Sequence, residues 1–330
     1  MEYTTFLAQA KALGFARIGM CSTEPFKLQQ DTVSEQLELK ERRQLRFNPQ
    51  DECAWATVLL VMLWPYQQAM LPRDERTVFV DSYYEASNQA YQAGKKLEEA
   101  LCRMGHRAKA NVSFPAKAAA IRAGLGVIGD HGLLITPEHG TRVVIILLAT
   151  DAFAPDKEDE LTPGICLHCG KCSKACPTGA IDGKNGMAHP ERCLRNCMME
   201  GVVVPDEQRK RMGLKLIGCD ICQRVCPMQP VSTLKEMPVF TLNDFLTADN
   251  NAFKAHVEQL GGLIGRNAAR PQRVRAQAAL IAGNSKHPEY LTVLREWVES
   301  ESEAVREHAK WAIKQIERHM QGIDQSDEKR

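Results

Sequence analysis

The chain has 330 residues, 44% hydrophobic and 25% charged, a balance that supports sizeable cores and excludes a disordered or fibrous protein. Forty-two basic against 41 acidic side chains leave a formal net charge of +1. That excludes a chain-wide pull toward nucleic acid or membrane, though not a local basic patch.

The opening MEYTTFLAQAKALGF lacks a basic leader followed by a long apolar stretch. No run approaches the roughly 18–20 apolar residues that span a bilayer, so a cytoplasmic protein without membrane contact is expected. TTFLAQAKALGF reads as a helix stopped at Gly14, and Thr57 to Leu63 as a buried strand stopped by Pro65. SNQAYQAGKKLEEALCRMG predicts a long helix ending at Gly105, and Arg142 to Thr150 a second buried strand. Strands alternating with helices point to an α/β layer, with α+β as its variant, over residues 1–154.

After the acidic linker APDKEDELTPG, residues 155–235 are dense in Cys, Gly and Pro and poor in periodic elements, so metal is expected to hold them folded. Residues 236–330 return to helical periodicity in RVRAQAALIAGN, YLTVLREWVES and EAVREHAKWAIKQIERHM. These predict HEAT-like helical hairpins, with a frayed polar tail QGIDQSDEKR.

The twelve cysteines in an unexported chain of this size point to metal or redox chemistry. Cys166, Cys169, Cys172 and Cys176, followed by Pro177, have the C-x2-C-x2-C-x3-C-P spacing of paired [4Fe–4S] cubanes, in which the fourth thiolate crosses to the other cluster. Cys219, Cys222 and Cys226 with Pro227 repeat its ending, and Cys193 lies between the two groups. The crossing rule assigns Cys166, Cys169, Cys172 and Cys226 to one cluster and Cys176, Cys193, Cys219 and Cys222 to the other. Cys197, four residues on, competes with Cys193, because positions i and i+4 share a helix face. A pair of structural zinc sites, each held by four thiolates, is the alternative chemistry. Cys21, Cys53 and Cys102 read as buried free thiols.

AGLGVIGDHGLLITPEHGTRV packs Gly124, Gly126, Gly129 and Gly132 between a helical AKAAAIRA and the second buried strand. A Rossmann fingerprint is excluded, since the glycines follow a helix and precede a strand. Glycines here let backbone approach a large flat ligand. Arg266, Arg270, Arg273 and Arg275 recur at near-helical spacing, either as a phosphate-binding stripe or as a solvated helix face paired with downstream glutamates.

Together, AGLGVIGDHGLLI, CLHCGKCSKACPTGAI, the lone Cys193 and GCDICQRVCP resemble the cobalamin-dependent epoxyqueuosine reductases over most of the chain. GLLITPEHGTRV also resembles the respiratory reductive dehalogenases. The resemblance implies a corrinoid over the α/β domain beside a double-cubane ferredoxin-like module, removal of an epoxide oxygen from a queuosine precursor in tRNA, and Cys193 rather than Cys197 as ligand. It places Gly124, Gly126, Gly129, Gly132, Leu134, Ile135 and Thr136 at the cofactor, and Tyr83, Tyr84, Asp130 and His131 as candidate catalytic groups. It implies a ferredoxin or flavodoxin as electron donor and a tRNA substrate, for which the four arginines, on the first of their two readings, would be the phosphate contacts.

The chain departs from the family pattern in three places. The usual stretch ending Arg-Asp-Tyr-His reads DSYYEASNQAYQ; Gly-Lys-Asn becomes Gly129-Asp130-His131; and the acid expected shortly before the glycine segment is missing from KANVSFPAKAAAIRA. Two further readings stay open: a corrinoid-dependent reductase of a small electrophile, and an electron carrier without corrinoid.

Overall fold

The computed structural model describes residues 2–27, 46–72, 74–154, 166–183, 189–200, 202–247 and 249–322, without the side chains of residues 199 and 200. The acidic linker beyond Ala154 and the tail beyond Gly322 lie outside the described residues.

The first part of the chain runs α1 (Tyr3–Leu13), β1 (Arg17–Cys21), α2 (Gln50–Cys53), β2 (Val58–Pro65), β3 (Phe79–Val80), α3 (Ser82–Arg103), β4 (Ala108–Ala110), α4 (Ala116–Arg122), β5 (Val127–Ile128), β6 (Leu134–Ile135) and β7 (Val143–Thr150). The cysteine-rich segment holds only short elements: α5 (Lys171–Ala175), α6 (Leu194–Glu200), α7 (Asp206–Arg211), β8 (Lys215–Ile217) and α8 (Ile221–Arg224). Helices α9 (Leu242–Phe245), α10 (Asn250–Ile264), α11 (Pro271–Ser285), α12 (Leu291–Trp297) and α13 (Glu303–Met320) complete it. Among the described residues no helix is long and apolar enough to cross a membrane.

A four-stranded sheet in the order β1-β2-β7-β4 carries the first part, and every neighbouring pair is antiparallel. The mixed helix and sheet class is therefore of the α+β kind. Its central strands are buried on both faces, as their unbroken apolar runs require. Alternation along β2 sends Val58, Leu60 and Met62 to a core shared with α1 and α3, and Leu59, Val61 and Leu63 to a core shared with α4. Leu60 faces Leu148 and Met62 faces Ile146 across the ladder, which fixes the register. Burying each such side chain stabilises the fold by about 1.5–3 kcal/mol.

Helix α1 ends where expected, with Gly14 at φ 118 donating back to Ala10 and Lys11. Helix α3 begins earlier than SNQAYQ, because Asp81 caps it by accepting the Tyr83 N–H. Its stripe of Ala86, Ala90, Ala93 and Gly94 lets it lie close on the sheet. Cys21 and Cys53 are buried, as expected; Cys102 is exposed, because it falls on the outer face of the last turn of α3.

A third core joins α9–α13 to β8 and α6, and takes in Val78, Val80 and Tyr84 from the first part. Strand β3 pairs in parallel with β8, and bridges at Ala69–Lys235 and Thr77–Thr241 add further stitches. Inside this core His308 is an uncharged clasp: its Nε2 accepts the Val204 N–H at 2.9 Å, and its Nδ1 lies 3.1 Å from the Ala276 carbonyl. Burial pushes its pKa down to about 4.

Candidate redox site

Two groups of cysteines emerge from the short elements. Cys166, Cys169 and Cys172 meet Cys226 around a narrow space closed by Asp130, His131 and Ile135. Cys176, Cys193, Cys219 and Cys222 line a larger cavity, about 340 Å³, whose other walls are Tyr83, Leu133, Leu134, Val143 and Ile145. Cys176 leaves the first run at the end of α5, in extended backbone, which carries it away from Cys172. The eight cysteines thus line two separate spaces, four to each.

Cys193 stands just before α6, and its carbonyl accepts the Cys197 N–H at 3.0 Å. Cys193 lines the cavity. Cys197 points into the third core, with Sγ 3.8 Å from the Glu191 carbonyl. Burial pushes the Cys219 thiol up to about 11 and raises Cys222 further, with the neighbouring cysteines adding to the effect. Thiolates collected in so dry a place need cations, which iron would supply.

The other expected residues separate. Tyr83 reaches the cavity wall, whereas Tyr84 is buried behind it with a hydroxyl that has no hydrogen-bond partner among the described residues. The Arg195 guanidinium lies 5.0 Å from the Tyr83 ring and 5.6 Å from that of Tyr84. Asp130 turns from the cavity toward the first cysteine group, 2.7 Å from His168 Nδ1. His131 stands between the two spaces: Nδ1 accepts the Leu133 N–H at 3.1 Å, which leaves the proton on Nε2, buried and unpartnered. Burial pushes its pKa down to about 4.

None of the four glycines lines the cavity. A side chain at Gly126 would strike the Ile135 carbonyl, and one at Gly129 would meet Ile135 Cδ1 at 2.6 Å. These glycines allow the β5–β6 hairpin to close. Of the residues after them, Leu134 faces the cavity, Ile135 the first cysteine group, and Thr136 bonds to the Gly140 carbonyl.

Sequence reasoning missed a buried polar floor. Gln223 accepts from Tyr66 at 3.0 Å and Thr141 at 3.1 Å. Asp220 accepts from Arg224 Nε at 2.7 Å and lies 3.9 Å from Arg142. Asp81 lines the cavity, and burial, then the Asp220 carboxylate, pushes it up to about 6. Its only signal in the sequence was that of a helix cap.

Residues 165–229 match the 4Fe-4S double cluster binding domain. The chain is 31% identical to the epoxyqueuosine reductase of Bacillus subtilis over 211 residues, 61% of this chain and 53% of the relative. It is 30% identical to that of Vibrio cholerae over 241 residues, 69% of this chain and 63% of the relative. The chain is similar to the epoxyqueuosine reductases. It spans between half and two thirds of the length of these curated relatives. The crystal structure of a selenomethionine-labelled epoxyqueuosine reductase shares the fold, with a TM-score of 0.79 at 24% identity over 95% of this chain and 90% of that one. So does an epoxyqueuosine reductase solved with an epoxyqueuosine-modified tRNA stem loop, with a TM-score of 0.79 over 99% of this chain and 94% of that one.

Proposed function

We propose that the chain is a reductase of the epoxyqueuosine type, which passes electrons through two [4Fe–4S] clusters to cobalamin and removes oxygen from a tRNA-linked epoxide. The observation that carries this reading is that Cys176, Cys193, Cys219 and Cys222 form one wall of the cavity, so a redox group lodged there would abut the ligands of one cluster. Cys166, Cys169, Cys172 and Cys226 would hold the other, with Cys169 exposed where a ferredoxin or flavodoxin could deliver electrons.

The same cavity suits one face of a corrinoid: Leu133, Leu134, Val143 and Ile145 give it an apolar wall, beside which stand the polar side chains of Tyr83 and Gln223. The chemistry cobalamin supplies when bound is low-potential reduction of an electrophilic carbon. The protein's own share is to exclude water, to hold Tyr83 rigid beneath Arg195, and to present proton donors. Turning an epoxide into an alkene and water takes two electrons and two protons, so a proton source at the wall is as necessary as the wire.

In this reading residues 1–154 form the corrinoid domain, 155–235 the double-cluster module and 236–330 the HEAT-like hairpins, in a cytoplasmic enzyme. The exposed Arg266 and Arg270 are the arginines offered to tRNA phosphates. Arg273 is engaged with the carbonyls of Asn267 and Ala268, and Arg275 lies 4.3 Å from the Phe253 ring and bonds to Asn250.

The test is anaerobic reconstitution with iron and sulfide, incubation with cobalamin, removal of unbound material, and an ultraviolet–visible spectrum with iron quantitation. Retained corrinoid bands on about eight irons per chain, the content of two cubanes, are expected, followed by conversion of epoxyqueuosine in tRNA under a low-potential donor. Cluster absorption alone would turn the reading into that of an electron carrier.

A further inference from the structure

The stretch Lys109 to Ala123, beside the cavity's glycine hairpin, contains no carboxylate. Among the described residues lining the cavity, Asp81 is the sole carboxyl group, and it is 3% exposed. Its position is fixed from both sides. Oδ1 accepts the Tyr83 N–H at 3.0 Å, and its own N–H donates to the Ile217 carbonyl at 2.9 Å. Gly218, at φ 92, leaves room for it, since a Cβ there would overlap that of Asp81.

We propose that Asp81 is the acid that protonates the substrate oxygen in this cavity, a role that rests on the reductase reading above. As the carbon–oxygen bond breaks, its electron pair stays on oxygen and Asp81 Oδ2 gives up its proton to that oxygen. The two electrons come from the low-potential carrier through the clusters, the second proton comes from solvent, and water leaves. The resulting Asp81 carboxylate is reprotonated through the cavity mouth.

The surroundings favour a proton on Asp81. Tyr83 and Tyr84 face it from its own helix, Tyr66 from the end of β2, Arg142 from the entry to β7, Arg195 from α6 and Asp220 from the turn before α8. Asp220, the neighbouring carboxyl group, lies 2.7 Å from Arg224 and 3.9 Å from Arg142. Burial first, and then the neighbouring Asp220, raise Asp81.

Asp81→Asn keeps the acceptor for the Tyr83 N–H and removes the acid. We expect iron content and cobalamin retention to match the wild type, single-turnover epoxide opening to fall by about 100-fold or more, and the loss of rate with rising pH expected of the wild type to be absent from the variant. Infrared difference spectra of the holoenzyme labelled with ¹³C-aspartate should show a protonated carboxyl stretch that titrates, absent from the variant. A variant that turns over like the wild type, or a wild type without that stretch, overturns the proposal. If the variant loses iron, the wild-type stretch and pH profile decide. A wild type that loads both cofactors yet opens no epoxide sinks the reductase reading, and this proposal with it; an active wild type with an equally active variant sinks this proposal alone.

Discussion

The antiparallel sheet and the cysteine-rich segment face each other across one cavity, and they are held together by different means. In β2 six consecutive residues from Val58 to Leu63 are buried, shared between two cores. In the described stretch 166–183, Cys172, Ala180 and Ile181 are the buried apolar residues. A sheet with that much apolar contact folds by dehydration; a segment with so little must be organised by the bonds its thiolates make.

The sharpest way to break this contrast is to remove iron anaerobically with a chelator. Backbone hydrogen exchange at 166–183 and around Cys219 should rise toward that of an unfolded chain, while β2 and β7 stay protected. A sheet that melts together with the cysteine segment would show that the two are one unit.

The converse experiment is Leu60→Ala, which opens a cavity in the middle of the sheet. It should cost about 3–5 kcal/mol in denaturant unfolding, with the iron content of the folded fraction unchanged. A loss of iron in that fraction would mean that the sheet positions the cysteines.

A somewhat smaller effect is expected from His308, in the core that joins the helices to the cysteine segment. Its folded pKa lies below its unfolded value, so the unfolded state binds the extra proton. Stability from this group is complete above pH about 6.5 and is lost as pH falls toward about 4, where the folded state also takes up the proton. The loss amounts to about 3 kcal/mol at most. His308→Gln should flatten that limb of a stability–pH profile; an unchanged limb would assign it to another group.

The smallest effect belongs to the surface. The exposed pair Arg295–Glu317, 3.2 Å apart between α12 and α13, should contribute under about 1 kcal/mol, checked by Arg295→Ala in the same unfolding assay. A larger loss would show the helical region leaning on its charges.

Much of the scaffold was legible because it rests on local patterns. Gly14 ends α1, the apolar runs became β2 and β7, and the C-terminal stretches of helical period became α11, α12 and α13. The antiparallel order was not legible, since nothing in the run Val143–Thr150 says that it will lie beside β2, which comes so much earlier in the chain. Of the glycines of the 124–132 segment, Gly126 and Gly129 leave room for Ile135, a requirement of the folded hairpin that the sequence did not show. Asp81 could be read from the sequence only as a possible cap, because burial and the approach of Asp220 are what give it chemical character.

By itself, the sequence determined the chemistry of the cysteines. Their spacing along the chain is a covalent property, and a thiolate every third residue constrains what metal can be wrapped wherever the segment folds. Only the tertiary structure decided which cysteines meet, that Cys193 and not Cys197 faces the cavity, and that Asp81 stands at its wall. Those facts depend on contacts between residues far apart in the chain, and on a burial that no single segment carries within itself.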